Sequence, residues 1–271
     1  MLDLLEIERA IIKKYRAKLY RPFIKAIKDY DLLKPGDNVA VCISGGKDSL
    51  LLAKLFQELK RHSDYEFNLK FLVMNPGFVG DDLDKLKENA EKLKIPIKIK
   101  NSNVFEVSER LGNGKPCYLC ARMRRGFLYE FARDEGCNKI ALAHHFNDVI
   151  ETTLLNVLYS GNYGTMVPKL KSTNFHGMEL IRPMVYIKEK DIINFMKYSQ
   201  IEAMKCGCKV AAGEIDSKRK KVKELIAGIK KDFPNVEISI YRSAENVNLN
   251  CVLGWKKKNE KYSFLDEYEI D

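Results

Sequence analysis

The chain has 271 residues, which suits one large domain with appended segments at the usual length of about 100–200 residues per domain. With 45% hydrophobic and 31% charged residues, disorder is excluded as the main state, and no apolar run reaches the roughly 18 residues of a membrane-spanning helix. Lysine and arginine outnumber aspartate and glutamate by 47 to 37, and the net charge of +10 fits either a polyanionic partner such as nucleic acid or a solvated basic surface.

The first predicted elements are helical. Residues 4–30 place apolar side chains at helical spacing, and Pro22 predicts a kink or a break into two helices. Charges occur throughout this segment, so no signal peptide is expected and a cytoplasmic location without membrane contact is predicted. Residues 1–35 are therefore assigned to an N-terminal helical segment.

Strands and helices then alternate along the chain. A turn at Pro35-Gly36-Asp37 precedes a short apolar strand at residues 38–43. The further predicted strands are 67–74, 95–99 and 139–143, and the predicted helices are 50–59, 82–93, 122–134, 148–159 and 188–198. This alternation predicts an α/β domain over residues 36–200, with an open parallel sheet and helices on both faces.

The remaining segments have weaker patterns. Residues 165–182 suggest a hairpin, and residues 218–231 form a basic helix for which Ser217 is the expected N-cap. Residues 201–271 are assigned to a small C-terminal extension that contains cysteines and this basic helix. No role is assigned to residues 246–271.

One loop has the composition of a phosphate-binding site. Residues 44–49 directly follow the first strand and open a helix, so their backbone N–H groups and the helix N-terminus favour an anion. Lys47 can neutralise phosphate charge, and Asp48 can hold a magnesium ion that bridges phosphates. The candidate ligand-binding residues are Ser44, Gly45, Gly46, Lys47, Asp48 and Ser49.

This loop resembles the SGGxDS loop of the PP-loop ATP pyrophosphatases, and its spacing differs from the G-x-x-x-x-G-K-[ST] loop of kinases and GTPases. The resemblance implies the adenine nucleotide alpha hydrolase-like fold and cleavage of ATP between its α and β phosphates. It also places adenine against the second strand, near Val73, Met74 and Asn75. A core role would explain Val73 and Met74 equally well.

The seven cysteines do not indicate a disulfide framework, because their number is odd and no secretion signal is present. Cys117-x-x-Cys120 starts a predicted helix and suits a redox pair, half of a zinc site or part of an iron–sulfur site. Cys206-x-Cys208 offers a further ligand from either cysteine. Three isolated cysteines are expected to be small buried hydrophobic residues: Cys42, Cys137 and Cys251.

Several motifs in order resemble the tRNA 2-thiocytidine synthetase family. They are the PP-loop, Pro116-Cys-x-x-Cys with the following Arg-x-Arg-Arg, residues 139–145 with Asp148, residues 181–184 and residues 188–192. The resemblance implies a [4Fe–4S] cluster with one iron free to carry sulfur, held by Cys117, Cys120 and Cys208. Cys206 competes with Cys208, because the family usually has Cys-x-x-Cys at this place and this chain has Cys-x-Cys.

The same resemblance implies an activity and partners. ATP, with Mg2+, would adenylate a cytidine of tRNA, and sulfur from the cluster would replace the adenylate. Lys47, Asp48, Asp148 and Arg124 are the candidate catalytic residues. The implied partners are tRNA, a sulfur donor such as a cysteine desulfurase or sulfide, and a second copy of the chain in a homodimer.

Other polar residues have a functional and a structural interpretation. His144 and His145 can serve chemistry or strand-end packing, and Asn147 stands where the family usually has an aspartate. Arg124 lies one helical turn after Cys120 and can face ATP, RNA or solvent. Tyr163 can stack on an unpaired base or complete a turn. The basic runs at residues 13–18 and 218–223 are candidate RNA phosphate contacts.

Two alternative functions remain open. A 2-thiouridine-forming tRNA thiolase would share the loop and the cluster, although such enzymes typically add cysteine pairs near both ends. This chain has no cysteine before Cys42 and only Cys251 near its end. A non-catalytic nucleotide-binding metal protein would present the same motifs. The cysteine motif disfavours a lysidine synthetase, which has the loop without the cluster.

Overall fold

The computed structural model describes residues 2–78, 81–104, 107, 116–204, 214–257, 260–266 and 268, with the side chains of 116–121 and 214–217 left outside this description. Its centre is a six-stranded sheet in the order β3-β2-β1-β4-β6-β5. The strands are β1 (Asn38–Ile43), β2 (Asn68–Asn75), β3 (Ile97–Asn101), β4 (Lys139–Ala141), β5 (Lys169–Lys171) and β6 (Glu179–Ile181).

All neighbouring strands run parallel except β5, which pairs with β6 in an antiparallel hairpin at one edge. The predicted parallel sheet and the predicted hairpin are therefore both confirmed. The chain moves from β1 to β2 and β3 on one side, and β4 lies on the other side of β1. This reversal makes the carboxyl ends of β1 and β4 the crevice where α/β proteins bind ligands.

The helices that surround the sheet overlap the predicted ones, except that the helix predicted to begin at residue 122 begins at Pro116 and the last helix, Val236–Ser243, was not predicted. They are α1 (Leu4–Ile12), α2 (Arg21–Asp29), α3 (Lys47–His62), α4 (Asp82–Lys92), α5 (Pro116–Asp134), α6 (Phe146–Ser160), α7 (Glu189–Ser199), α8 (Glu214–Asp232) and α9 (Val236–Ser243). Within the described part of the chain, no helix is long and apolar enough to cross a bilayer.

Strand β1 shows that helices cover both faces of the sheet. Val39, Val41 and Ile43 point into a core that α1, α2, α3 and α7 complete. Ala40 and Cys42 point to the opposite face, into a core completed by aromatic residues of α5. This alternation follows from the two-residue period of a strand, and a strand buried on both faces has a continuous apolar sequence.

The predicted break in the N-terminal helices exists, but Pro22 does not cause it. Helix α1 ends at Ile12, and a π-helical turn (Arg16–Tyr20) leads directly into α2. Pro22 lies in the first turn of α2, where its missing N–H leaves no intrahelical hydrogen bond unmade.

The chain after residue 213 also differs from its prediction. Helix α8 begins at Glu214, so Ser217 lies inside its first turn and the prediction of Ser217 as N-cap was wrong. Val222 and Ile226 of α8 and Tyr241 of α9 pack on Phe146 of α6. Two strands that the sequence did not predict, β7 (Gly254–Lys257) and β8 (Glu260–Ser263), form an antiparallel pair.

Candidate functional site

The phosphate loop connects the end of β1 to the start of α3 at the predicted crevice. Gly45 has a φ of +81°, a conformation that favours glycine. The hydroxyl of Ser49 braces the loop, because it donates to the Gly46 carbonyl at 2.9 Å and accepts from the Ser44 N–H at 3.1 Å. Gly46 is the N-cap residue of α3 and provides no capping side chain, so the first N–H groups of this helix suit an anion.

Lys47 lies between two carboxylates at the start of α3. Its Nζ is 3.0 Å from Oδ2 of Asp48 and 3.1 Å from Oε1 of Glu189 in α7. Burial alone would lower the pKa of Lys47, but the two carboxylates outweigh burial and raise this pKa above its usual value. Sequence reasoning gave Glu189 no site role, because an acidic residue at a helix start also satisfies the helix dipole.

Asp48 has one oxygen paired and one oxygen unpartnered. Its Oδ2 accepts from Lys47, whereas its buried Oδ1 has no hydrogen-bond partner among the described residues. His145 Nε2 is the nearby polar atom, at 3.9 Å from Oδ1. An unpaired carboxylate oxygen beside a phosphate loop is suitable as a Mg2+ ligand. In proteins Mg2+ is usually bound by one or two carboxylates together with phosphates.

His145 and Asp148 cap helix α6 reciprocally. The His145 N–H donates to Oδ2 of Asp148 at 2.9 Å, and the Asp148 N–H donates to Nδ1 of His145 at 3.4 Å. The second hydrogen bond requires an unprotonated Nδ1, so a neutral His145 carries its proton on Nε2, which lies near Asp48 and Glu189. The structural interpretation of His145 therefore holds, and the cap also orients Asp148.

Asn147 has a structural partner of its own. Its Oδ1 accepts a hydrogen bond from the Glu189 N–H at 2.9 Å, at the first residue of α7. Asparagine and aspartate both present a carbonyl-type oxygen that satisfies a helix N-terminus. This contact connects α6 to α7 and places Glu189 beside Lys47.

Asp148 also contacts the C-terminal helix α8. Its Oδ1 accepts from a terminal nitrogen of Arg219 at 3.0 Å. The same guanidinium is 3.7 Å from Oε2 of Glu151, a side chain of α6 that is almost fully buried. Burial raises the pKa of Glu151 to about 7, although Lys223 and Arg219 act against this rise. Sequence reasoning missed Glu151 and Arg219.

A cavity of about 540 Å3 opens beside the phosphate loop. It brings together six predicted site residues from four elements and their loops: Ser44, Asp48, Ser49, Met74, Arg124 and Asp148. Gly45, Gly46 and Lys47 do not line it, and Lys47 is instead paired with its two carboxylates. Apolar residues from β1, β4 and β6 form its floor, as is usual for a small-molecule site.

A buried arginine fixes His144 at the wall of this cavity. Arg182 donates from Nε to Nδ1 of His144 at 3.2 Å, and its guanidinium also donates to the Val167 carbonyl at 2.5 Å. Burial, together with the charge of Arg182, lowers the pKa of His144 to about 4. His144 is therefore neutral near pH 7. Burial also lowers the pKa of Arg182, to about 10, which leaves the guanidinium charged at that pH.

The predicted cysteine ligands are only partly within the described structure. Cys117 and Cys120 lie in the first turns of α5, three residues apart in the sequence. Cys206 and Cys208 lie outside the described residues, as do the side chains of Cys117 and Cys120. Thiolates are suitable soft ligands for iron, so the chemistry of the donor set fits an iron–sulfur cluster.

The other candidates have ordinary environments. Cys42 and Cys137 are buried as predicted, whereas Cys251 is exposed, so that prediction was wrong. Burial raises the pKa of Cys42 to about 12. The Tyr163 hydroxyl lies 2.9 Å from Oγ of Ser243 in α9 while its ring stays half-exposed. Among the described side chains, no three His, Cys, Asp or Glu residues converge on a preformed metal site.

Comparisons with known proteins identify the family of this chain. The family model of the PP-loop domain matches residues 13–205. A tRNA-cytidine(32) 2-sulfurtransferase of Bdellovibrio bacteriovorus is 34% identical over 248 residues, which are 90% of this chain and 95% of that protein. The enzyme of the same name from Citrifermentans bemidjiense is 36% identical over 227 residues, which are 83% and 88% of the two chains.

A solved structure is similar as well. It is the U34-tRNA thiolase NcsA from Methanococcus maripaludis with its [4Fe-4S] cluster, with a TM-score of 0.66 and 25% sequence identity. The similarity covers 86% of this chain and 80% of that one. The fold of this chain therefore has a counterpart in a known thiolase.

Proposed function

We propose that this chain, which belongs to the PP-loop family of tRNA-cytidine(32) 2-sulfurtransferases, is an enzyme that uses ATP to transfer sulfur to C2 of a cytidine in tRNA. The observation that carries this proposal is one cavity in which the phosphate loop, Asp148 and Arg124 of the cysteine-bearing helix α5 meet. Activation of the base and sulfur delivery need such a shared space, because the first acts on O2 of the cytosine and the second acts on C2, to which O2 is bonded.

The phosphate loop would bind the triphosphate of ATP. The N–H groups at the start of α3 and the hydroxyls of Ser44 and Ser49 would donate to the phosphates, for which the Ser49 hydroxyl has to leave the Gly46 carbonyl, and adenine would lie against Met74 on the cavity wall. Lys47 would exchange Glu189 for phosphate oxygens and neutralise charge as the α phosphate is attacked.

The first chemical step would be attack by O2 of the cytosine on the α phosphate of ATP. This step forms the O2–phosphorus bond, breaks the bond between the α and β phosphates and releases pyrophosphate. The leaving pyrophosphate carries the added charge, and Lys47 is placed to stabilise it. In the second step a sulfur nucleophile adds to C2 and AMP leaves with the former O2.

Asp48 and Asp148 would hold Mg2+ with the phosphates. The unpartnered Oδ1 of Asp48 is free for this role, and Asp148 lines the same cavity. Mg2+ would supply charge neutralisation on the leaving pyrophosphate. Because Mg2+ usually keeps several waters and takes only one or two carboxylates, a preformed cage of protein ligands is not required.

Cys117, Cys120 and Cys208 would hold a [4Fe–4S] cluster, with Cys206 as the competing third ligand. When bound, the cluster would supply the sulfur nucleophile; sulfide would restore it directly, and a cysteine desulfurase would restore it together with a two-electron reductant. Arg124 lies one turn beyond Cys120 on α5 and lines the cavity, where its charge would meet the phosphate of the adenylated base.

We further propose that tRNA binds as a polyanion to the basic surface and that the enzyme acts as a homodimer. The net charge of +10 supports the first point, since phosphate contacts dominate nucleic-acid affinity. Exposed lysines on α8 lie next to the candidate site, because Arg219 and Lys223 of the same helix contact its carboxylates.

A turnover assay tests the proposal. Reconstituted protein is incubated under anaerobic conditions with ATP, Mg2+, sulfide and a tRNA that carries cytidine at position 32, and nucleosides are separated by mass. We expect 2-thiocytidine with one AMP and one pyrophosphate per sulfur. Matched tRNAs with cytidine or uridine at positions 32 and 34 decide the substrate.

The alternative functions predict different products. The similarity to a U34-tRNA thiolase favours 2-thiouridine as the second candidate product. Formation of 2-thiouridine at position 34 without 2-thiocytidine would replace the cytidine proposal. Nucleotide binding without pyrophosphate release would instead indicate a non-catalytic protein.

Metal analysis tests the ligands separately. Iron and labile sulfide are counted in wild type, Cys206→Ala and Cys208→Ala after anaerobic reconstitution. We expect about four irons per chain in wild type and in Cys206→Ala, and loss in Cys208→Ala. Loss in Cys206→Ala alone would reverse the third ligand, and zinc in place of iron would contradict the sulfur step.

A further inference from the structure

We infer that Met204 and Arg219 are positioning residues that fasten the chain on either side of Cys206 and Cys208 to the nucleotide site, so that ATP binding and metal ligation influence each other. The inference rests on the proposed function, because it takes the phosphate loop as the ATP site and these cysteines as candidate ligands. It is carried by contacts of described residues on both flanks.

On the N-terminal flank, Met204 is packed directly on the phosphate loop. Its N–H donates to the Gly45 carbonyl at 3.0 Å, and its side chain is buried. A Cβ added to Gly45 would lie only 2.2 Å from the Met204 sulfur, so the thioether fills the space beside this glycine. Met204 therefore contacts the loop through both its backbone and its side chain.

This contact responds to the conformation of the loop. The Gly45 carbonyl and the Gly46 N–H belong to one peptide group, which is planar and rotates as a unit. If the Gly46 N–H turns toward a phosphate oxygen, the Gly45 carbonyl must turn relative to Met204. Nucleotide binding therefore acts on Met204 through its hydrogen bond with the Gly45 carbonyl, and Met204 is two residues before Cys206 in the sequence.

On the C-terminal flank, Arg219 contacts the carboxylates of α6. It is 3.0 Å from Oδ1 of Asp148 and 3.7 Å from Oε2 of Glu151, which has no hydrogen-bond partner among the described residues. The other oxygen of Asp148 is held by the His145 N–H. Arg219 and His145 together fix the orientation of the carboxylate that lines the nucleotide cavity.

Lys223, four residues later on α8, continues this connection to the loop. Its Nζ is 3.2 Å from Oε2 of Glu189, and Oε1 of the same carboxylate is 3.1 Å from Nζ of Lys47. When Lys47 leaves Glu189 for a phosphate, Lys223 is the lysine that still contacts the Glu189 carboxylate. A chain of alternating charges therefore joins the phosphate loop to α8.

The two flanks together predict reciprocal coupling. Arg219 follows Cys208 and Met204 precedes Cys206 in the sequence, and the partners of both, Gly45 and Asp148, lie in the nucleotide site. If ATP changes the affinity of the cysteines for the metal by some factor, metal ligation must change the affinity for ATP by the same factor. Couplings of this kind are typically about five- to 150-fold in affinity.

Cysteine alkylation tests the inference on the full chain without cluster or tRNA. Reduced protein is treated with iodoacetamide, with and without ATP and Mg2+, and alkylation rates of single cysteines are obtained by peptide mass analysis. Cys251, which is exposed and lies outside the site, is the internal reference. We expect ATP to change the rates at Cys206 and Cys208 at least about fivefold, and the rate at Cys251 less than twofold.

Matched variants separate positioning from general damage. Met204→Ala and Arg219→Ala should reduce the ATP effect on Cys206 and Cys208 to less than twofold while ATP still binds. Met204→Leu keeps the buried volume and Lys220→Ala removes an exposed charge from the same helix, so both should retain the wild-type effect. Arg219→Lys keeps the charge without the fork and should give an intermediate effect.

The outcomes for the two proposals differ. An ATP effect that is equal in wild type, Met204→Ala and Arg219→Ala, with ATP bound in all three, overturns the coupling and leaves the proposed function intact. Failure of wild-type protein to bind ATP overturns the proposed function, and the coupling with it. Circular dichroism of each variant identifies loss of fold, in which case Arg219→Lys decides: a reduced ATP effect supports the coupling, and a wild-type effect overturns it.

Discussion

Helix α3 carries two clusters of charged residues, one near each end, and they differ in completeness. In the second half of the helix, Lys54 is 1% exposed and contacts Glu8 of α1 at 2.6 Å, while Arg61 bridges Glu8 and Glu58. At the first turn, Lys47 and Asp48 contact Glu189 and His145, but Asp48 keeps a buried oxygen without a partner among the described residues. The cluster around Lys54 joins two helices, and the cluster around Lys47 borders a cavity.

This difference separates structural charge from functional charge. Burial works against the charged form of Lys54 and outweighs its carboxylate partners, so the pKa of Lys54 is lowered. The same competition has the opposite result at Lys47, whose pKa is raised. A complete network gains stability from its partners, whereas an incomplete one beside a cavity is prepared to exchange partners with a ligand.

The largest expected effect comes from breaking the complete cluster. Lys54→Ala removes the closer of the two cations on Glu8 and leaves Arg61 as its remaining partner, so we expect the lower end of the about 3–5 kcal/mol that loss of one member of a buried ion pair costs. We expect this loss in the free energy of unfolding measured with urea. Activity per folded molecule should stay within about twofold of wild type, because the cluster has no contact with the cavity.

The double variant Glu8→Leu with Lys54→Met is the control for this change. It replaces both charges by apolar groups and should recover more than half of the lost stability. Equal stability of Lys54→Ala and wild type would contradict the structural role of the cluster.

Lys47→Ala should have the converse effect. It removes the cation that neutralises phosphate charge, and loss of one such group lowers catalysis by about 10²–10³-fold. The unfolding free energy should change by less than about 1 kcal/mol, because Lys47 is partly exposed and screened by solvent. Initial rates of tRNA-dependent pyrophosphate release give the first quantity. Large destabilisation with normal turnover would reverse the assignments of the two clusters.

The pH dependence of stability extends the comparison to Glu151. This residue contacts Lys223, which also contacts Glu189 in the cluster around Lys47. Its pKa is raised from 4.5 to about 7, so the folded state binds more protons than the unfolded state between these values. Stability contributed by the protonated carboxyl is therefore lost as pH rises from about 4.5 to about 7. Glu151→Gln stays neutral and should gain about 1–3 kcal/mol over wild type between pH 5 and pH 8.

Urea unfolding of both proteins at several pH values measures this difference. Glu179→Gln is a suitable comparison, since the contacts of Glu179 with Lys139 and Lys169 outweigh its burial and lower its pKa, which gives the opposite slope. A difference between Glu151→Gln and wild type that does not change with pH would show that Glu151 is ionised throughout.

The comparison also shows what could be predicted from the sequence. Strand β1 and the loop at residues 44–49 were predictable, because a continuous apolar run and a glycine-rich turn are local features. Asp48 and Asp148 were predictable from the motifs that contain them. The shared cavity itself was not predicted, although the carboxyl ends of parallel strands meet at one edge and so bring the two motifs together.

Other site residues could not be predicted, because their roles arise from contacts between distant parts of the chain. Arg219 reaches Asp148 across 71 residues, and in the sequence it belongs to a lysine-rich run that looks like a solvated helix face. Glu189 and Glu151 look like ordinary helix carboxylates until packing places cations beside them. The division at residues 35 and 200 stays a prediction.

The smallest expected effect concerns Asn147, which stands where the family usually has aspartate. Asn147→Asp retains an oxygen that accepts from the Glu189 N–H, and a negative charge at the N-terminus of α7 is favourable. The nearby carboxylates of Asp148 and Glu189 oppose this gain, so stability should change by less than about 1 kcal/mol.

Calorimetric titration of Asn147→Asp with ATP and Mg2+ should give a Kd within about threefold of wild type. Asn147→Leu, which removes the oxygen, should weaken ATP binding more strongly because Glu189 and its partner Lys47 lose their alignment. A large gain in Mg2+-dependent affinity for Asn147→Asp would instead make position 147 a metal ligand, and the contact with α7 would then be secondary.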